Sequence, residues 1–497
     1  MSSQQDRQAA AMEMVTRATN LQRSGRHEQA MQVMQHALRL DPDNYVATAG
    51  IAQLAMSSGQ TEIAERYAWR GRTLKPDGFE CLTILSECFH ASGRLDEAID
   101  CKQRAASVQP DNDRVHFNLG VLCEKAGRFD DARAAYWRAW QLNERNLEAL
   151  GNLVVLELAD GQTTAALAHS QAAHRLRRGS AHVLVNADHL PALPEAESMT
   201  SRFKLRMDHE QLCHLRANNL ISEAADPLIA ALAKAIIDCD DEPDDDHAFR
   251  RQHPRHRREP HWQLLNQCHN RPIHVPDITL PNGPLINPEL DVQALQRTYF
   301  DSSPQVVVID DFLADEALQA MRAFCQQATI WYDLRRNYLG AYLTDGFASA
   351  LTLGIADGLR AALPDIFSQH PLSQAWAYKY GPRLNGIGMH ADAAAVNCNF
   401  WITGDEYNLR PDQGGLLVYR KEAPLDWDFG KFNNDTEAMH RYLGDEIHTP
   451  IRIPHRSNRI VIFNANLFHQ SDDIHFADCF EGRRYNITLL YGHRGNG

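Results

Sequence analysis

Polar and apolar positions alternate in two different rhythms along this chain. Through the first third, small and apolar residues return at helical spacing, and the helical stretches are broken at regular steps. Gly25, Gly59, Gly93, Gly127 and Gly161 recur at intervals of 34, as do Ala30, Ala64, Ala98, Ala132 and Ala166. Pro42, Pro76 and Pro110 keep the same step, and LNERN carries the turn chemistry where Glu144 interrupts the series. Each glycine suits the end of a first helix, each alanine a close crossing of two helices, and each proline the stop after the second. From about residue 296 the rhythm shortens. QVVVIDDF reads as a strand followed by a helix, LADEALQAMRAFCQQA, and a further helix is expected near 348–363. After it AWAYKY, VNCNFWI, GLLVYR, RIVIFN and YNITLLYG read as short strands separated by Gly, Pro, Asn and Asp clusters.

Between these regions, FKLRMDHEQLCHLRANNLI and DPLIAALAKAII keep helical spacing and are expected to cap the helical array. The segment DCDDEPDDDHAFRRQHPRHRREPHW turns from acidic to basic, and its prolines make a solvated linker a better reading than a metal site at His253, His256 and His261. The expected division is therefore 1–180, 181–295 and 296–497.

The 34-residue pattern resembles the tetratricopeptide repeat over about residues 11–180, with its aromatic positions only partly kept (Phe89, Tyr136). The resemblance implies an all-α superhelix whose groove takes a peptide or protein partner, or another part of the same chain.

Composition narrows the rest. The formal charge of −14 argues against broad contact with nucleic acid, which needs a basic surface. Ten scattered cysteines without a C-x-x-C pair read as reduced thiols of a cytoplasmic protein. No run of eighteen apolar residues is long enough for a membrane span, and the N-terminus lacks the apolar stretch of a secretory signal.

The C-terminal region carries the chemistry. His390-Ala-Asp392 is followed 77 residues later by His469, and then by Arg483 and Arg484. With 24 histidines and 64 acidic residues about three H-x-[DE] triplets are expected, so the single one found is informative only in context. If 390–392 is extended, His390 and Asp392 project to one face. His469, just past the strand RIVIFNANLF, can join them. Two histidines and a carboxylate can hold one face of Fe(II). His475 is the rival third ligand, and Asp472 reads first as a turn cap and second as a group that could orient His469. Arg484, Asn486 and Thr488 share one face of the last strand, and Arg483 faces the other way with Tyr485. Either arginine could grip a carboxylate through paired hydrogen bonds, and the polar face favours Arg484. Trp376, Tyr378 and Tyr380 line one face of an earlier strand, as core aromatics or with Tyr380 as a donor to that carboxylate.

VVVIDDFL with its helix, Tyr380-Gly381 ahead of His390-x-Asp392, GGLLVY, NRIVIFNANLFH and RRYNITLLYG together resemble the Fe(II)/2-oxoglutarate oxygenases over about 305–493, nearest the prolyl-hydroxylase-like branch. That resemblance implies a double-stranded β-helix (jelly roll) with flanking helices, in which His390, Asp392 and His469 ligate Fe(II). It further implies that Arg484 (or Arg483), Tyr380 and Asn486 bind 2-oxoglutarate, with O2 as the second co-substrate. An arginine stands where prolyl hydroxylases usually carry a lysine, and the R-x-N-x-T ending is closer to nucleic-acid demethylases of the same superfamily. The expected activity is hydroxylation of a protein or peptide side chain presented by the repeats, with release of succinate and CO2. The alternatives are hydroxylation of a small metabolite, with the repeats binding a partner, or a non-catalytic repeat adaptor.

Overall fold

The structure, a computed structural model, describes residues 4–180, 193–194, 199–239 and 258–495. The chain forms two compact units, Met1–Leu153 and Val154–Gly497.

The first unit is a series of antiparallel helix pairs: α1 (Gln4–Arg23) with α2 (His27–Leu40), α3 (Tyr45–Ser57) with α4 (Thr61–Leu74), α5 (Phe79–Ala91) with α6 (Leu95–Val108), and α7 (Asp113–Lys125) with α8 (Phe129–Leu142). Helix α9 (Leu147–Ala159) begins in it. Gly25, Gly59, Gly93 and Gly127 all adopt φ of 72–77°. In each turn the N–H after the glycine reaches back to the carbonyl five residues earlier, as in Arg94 to Phe89 at 2.8 Å, a C-cap that only a left-handed residue permits. Ala30, Ala64, Ala98 and Ala132 are fully buried at the helix crossings. The next helix starts on an asparagine cap, with Asn44 and Asn112 accepting from Ala47 and Val115. Each such cap contributes about 1 kcal/mol. Gly78 stands between them at the cap of α5, where a Cβ would lie 2.3 Å from the Tyr45 hydroxyl. Arg70, Arg104 and Arg138 tie successive repeats by donating to the carbonyls of Pro42, Pro76 and Pro110.

The second unit opens with the end of α9 and α10 (Thr163–Arg178), followed by α11 (Arg202–Ala217), α12 (Asp226–Asp238), α13 (Pro260–Cys268) and α14 (Val292–Asp301). Then come β1 (Val306–Ile309), α15 (Asp315–Gln327), β2 (Asp333–Arg335), β3 (Tyr338–Tyr342), α16 (Ala350–Ala362) and α17 (Pro364–Phe367). The remainder is β4 (Leu372–Tyr380), β5 (Arg383–Leu384), β6 (Val396–Trp401), β7 (Leu416–Glu422), α18 (Phe429–Asn433), α19 (Thr436–Leu443), β8 (Ile451–Ile453), β9 (Arg459–Asn464), β10 (Leu467–Ser471), β11 (Ile474–His475) and β12 (Tyr485–Tyr491).

Seven strands form the main sheet in the order β1-β9-β6-β12-β4-β3-β2, and β10-β7-β8 form a second sheet. Strands β11 and β5 pair separately, and every described pairing is antiparallel. Trp401, Val461 and Phe463 of the main sheet pack against Leu416, Val418, Ile453 and Leu467 of the smaller one. The other face of the main sheet, including Cys398, Phe400, Tyr485 and Ile487, is buried with residues of α15 and α16 such as Phe324 and Leu359.

The sequence segments expected to cap the repeats, α11 and α12, belong to the second unit. Helix α11 is held there by charge and amide contacts: Glu210 pairs with Arg483 at 2.8 Å, and Gln211 accepts from Lys379 at 2.7 Å. Helices α11, α12 and α13, which fall between residues 181 and 295, are thus grouped with the strands of the second unit. His253 and His256 lie outside the described residues, while His261 starts α13 and pairs with Asp238 at 2.7 Å.

Candidate metal and carboxylate site

His390 and His469 meet as a two-residue antiparallel bridge, exchanging backbone hydrogen bonds at 2.8 and 3.0 Å. His469 sits within β10, paired with Val418 of β7, and not in a loop after the strand. Gly386 makes the approach possible. It has φ of 79°, and a Cβ there would stand 2.3 Å from the Ser471 carbonyl oxygen. Asp392 is fixed by its backbone N–H to the Ala465 carbonyl at 3.0 Å. One ligand atom from each of His390, Asp392 and His469 lies within 4.8 Å of the others, and no other such cluster occurs among the described residues.

The protonation pattern suits a cation. Nδ1 of His390 faces the Gly388 carbonyl at 2.8 Å, and Nδ1 of His469 faces that of Leu467 at 3.0 Å. A carbonyl only accepts, so each ring carries its proton on Nδ1 and turns the lone pair of Nε2 inward. Those Nε2 atoms lie 4.0 and 3.4 Å from the Asp392 carboxylate. Burial, and then His469, hold His390 below the ordinary histidine range against the pull of Asp392. Burial pushes Asp392 upward, but His469, His390 and the Asn397 amide together outweigh it and keep the carboxyl ionised. An imidazole with a free Nε2 lone pair and an ionised carboxylate are the forms in which these residue types ligate a metal. The His390 side chain keeps 22% of its surface exposed against 4% for His469, so the site opens on the His390 side.

The two arginines diverge as strand alternation requires. Arg483 is bound by Glu210 at 2.8 and 3.0 Å and by Asp478 at 2.8 Å. Arg484 is equally buried, at 1% exposure, and has no such carboxylate among the described residues. Its Nε donates to the Gly414 carbonyl at 2.7 Å, its guanidinium stacks 4.7 Å from the Tyr380 ring and 5.6 Å from Trp401, and its Nη1 has no hydrogen-bond partner. Burial pulls its pKa down, opposed by Tyr380 and Asp472. A buried cation with an idle donor is what an anionic ligand would complete.

Asn486, two residues after Arg484 on β12, is linked to Asp392 by a relay that sequence reading missed. Trp401 Nε1 donates to Asn486 at 2.7 Å, Asn486 to Asn399 at 2.9 Å, Asn399 to Asn397 at 2.6 Å, and Asn397 to the Asp392 carboxylate. Its signal was available: asparagines at alternate positions of the apolar strand VNCNFWI must all face one side. His475 stands apart, in β11 opposite Arg383. The Asp472 carboxylate caps its turn, accepting from the Asp473 N–H at 2.9 Å, and also accepts from Arg452 at 2.6 Å.

Residues 21–68 and 91–142 each match the tetratricopeptide repeat family. No curated protein matches the chain. Among solved structures, MamA (residues 41 to the end) from Desulfovibrio magneticus is similar at 14% identity and a TM-score of 0.30, over 33% of this chain and 92% of that one. YrrB, described as a tetratricopeptide-repeat protein with an unusual peptide-binding site, matches at 17% and 0.31, over 33% and 86%. PilF of Pseudomonas aeruginosa matches at 17% and 0.32, over 36% and 83%. The two family matches and the helix pairs make the first unit an all-α tetratricopeptide-repeat array, and such arrays typically bind peptide or protein partners. No helix among the described residues is long and apolar enough to cross a membrane.

Proposed function

We propose that the second unit is an Fe(II)- and 2-oxoglutarate-dependent dioxygenase of the jelly-roll type, acting on a protein or peptide side chain brought by the repeats. The observation that carries this reading is one conjunction. Two tautomer-fixed histidines and an ionised carboxylate converge, and an asparagine relay links them to the strand that carries Arg484 with its idle donor. His390, Asp392 and His469 would hold the metal. Arg484 would receive the distal carboxylate of 2-oxoglutarate, with Tyr380 stacked against the guanidinium and Asn486 holding Trp401 in place. Bound there, the metal and 2-oxoglutarate supply O2-dependent oxidation of a C–H bond, with succinate and CO2 as co-products. The chain positions the co-substrate, keeps Asp392 ionised through Asn397, and excludes water from the Arg484 end. The sheet packing of Trp401, Val461 and Phe463 supports the jelly-roll reading.

The test is anaerobic addition of Fe(II) and 2-oxoglutarate to the full chain, followed by the visible charge-transfer band of the chelate. The band is expected in the native protein and in Arg483→Ala, lost in His390→Ala and weakened in Arg484→Ala. Its absence from folded native protein refutes the proposal and leaves a non-catalytic repeat adaptor, which the repeat matches alone support. A substrate presented by the repeats further predicts that groove substitutions in the first unit lower turnover and leave the band intact. Turnover of a small metabolite would not respond to them.

A further inference from the structure

Two peptide units join His390 to Asp392, and each is bonded at both ends. In the first, the His390 carbonyl accepts from His469 N–H at 2.8 Å and the Ala391 N–H donates to the Phe432 carbonyl at 3.0 Å. In the second, the Asp392 N–H donates to the Ala465 carbonyl at 3.0 Å and the Ala391 carbonyl accepts from Asn433 Nδ2 at 3.2 Å. The tripeptide is thus held along both edges, as a strand inside a sheet would be: by β10 on one side and by the end of α18 on the other. Three of its four partners are backbone groups, which any sequence could supply. Asn433 is the one side chain among them.

The segment that presents Asn433 is itself fastened. Arg494 donates to the carbonyls of Ala423, Pro424 and Trp427 at 3.0, 2.6 and 2.8 Å, and to Asn466 Oδ1 at 2.7 Å. Its guanidinium lies 4.0 Å over the ring of Phe432, the residue whose carbonyl holds Ala391. Met389 and Ala391 share one apolar cluster with Phe432, Met439 and Leu443. A planar guanidinium can bond several acceptors at once while stacking on a ring, and the single ammonium of lysine cannot. A peptide unit bonded at one end only can turn about the chain axis. Turning the unit beside Asp392 would swing the carboxylate away from the imidazoles.

We infer that Asn433 is a positioning residue of the metal site. It sets the Ala391–Asp392 peptide and, through it, the direction of the Asp392 carboxylate, while Arg494 fastens the α18 segment that presents it. The inference rests on the reading of His390, Asp392 and His469 as metal ligands.

The experiment is Co(II) titration of the full chain, read by the visible d–d bands, beside urea unfolding of the metal-free protein. The positions and intensities of those bands report ligand geometry. Asn433→Leu keeps most of the side-chain volume and removes the donor. It should bind Co(II) about 10- to 100-fold more weakly and with altered bands, and unfold near the native urea midpoint. Arg494→Lys should change affinity and bands in the same direction. Native affinity and native bands in Asn433→Leu overturn the inference. So does a lowered urea midpoint with affinity and bands unchanged, the result a merely structural contact would give. Should Asn433→Leu fail to fold, Arg494→Lys carries the test, and native affinity and bands there overturn the inference equally. Native protein that binds no Co(II) overturns the metal reading and this inference with it, so the native titration tells the two failures apart.

Discussion

Replacing Arg484 and Arg483 in turn by methionine separates a cation held for a ligand from one held for the fold. Arg484 is buried without a carboxylate and donates to the Gly414 carbonyl. Its removal strands that carbonyl, at a cost of about 1–3 kcal/mol. It also removes an uncompensated buried charge, a gain of about 1–4 kcal/mol. The two nearly cancel, and the unfolding free energy should move by less than about 2 kcal/mol. Affinity for 2-oxoglutarate should not be spared. Losing one partner of a buried charge-assisted pair costs about 2–5 kcal/mol, or roughly 30-fold to a few thousand-fold. Arg483→Met should behave in the opposite way. It strands Glu210 and Asp478, whose side chains are 26% and 53% exposed, so solvent reduces the loss to about 1–3 kcal/mol of stability. The co-substrate affinity should stay within about twofold. Urea unfolding of both variants, with anaerobic titration of the Fe(II)–2-oxoglutarate band, reads both quantities. Equal affinities in the two variants, or an Arg484→Met protein that loses stability and keeps its affinity, would refute the assignment of Arg484 to an anion.

Three further outcomes are expected. Asn397→Ala removes the amide that holds the Asp392 carboxylate, and metal affinity measured by Co(II) titration should fall about 10- to 100-fold; an unchanged affinity would reduce the relay to packing. Burial holds His174 and His455 down at about 4, below the value of about 6.5 in an unfolded chain, so the unfolded state binds more protons between these limits. Stability should therefore be lost as pH falls from about 6.5 towards 4, and urea midpoints should fall less steeply in His174→Gln; an unaltered slope would exclude His174 as a contributor. Gly415→Ala would set a methyl 1.9 Å from the Ile453 carbonyl oxygen, against the β7–β8 pairing, and should cost about 3 kcal/mol or more; an unchanged unfolding midpoint would mean that this backbone yields.

The residues of the repeats were legible because each carries its information within one turn. Glycine at positive φ, alanine at a crossing and proline after a helix are local requirements, and repetition at 34 multiplied the signal. Strands with strong alternation, such as VNCNFWI and YNITLLYG, were legible for the same reason. Strands β2 and β3 were not, because DLR and YLGAY are short and pair only with each other and with β4. The part played by α11 was hidden for a different reason. Its amphipathic pattern shows that one face is buried but does not say against what.

Sequence alone determined the repeat period, the opposed faces of Arg483 and Arg484, and the three residue types able to hold a metal. The first follows from recurrence at intervals of 34, the second from the strand period of 2, and the third from the donor chemistry of histidine and carboxylate. Only the tertiary structure decided which arginine lacks a counter-charge, since Glu210 lies 273 residues from Arg483. The same holds for the bridge that sets His469 against His390, for the asparagine relay to Asp392, and for the contact of buried Lys379 with Gln211. Each of these depends on which groups the closed sheets and covering helices bring together or keep apart, and on how much water they exclude, neither of which is encoded by neighbours along the chain.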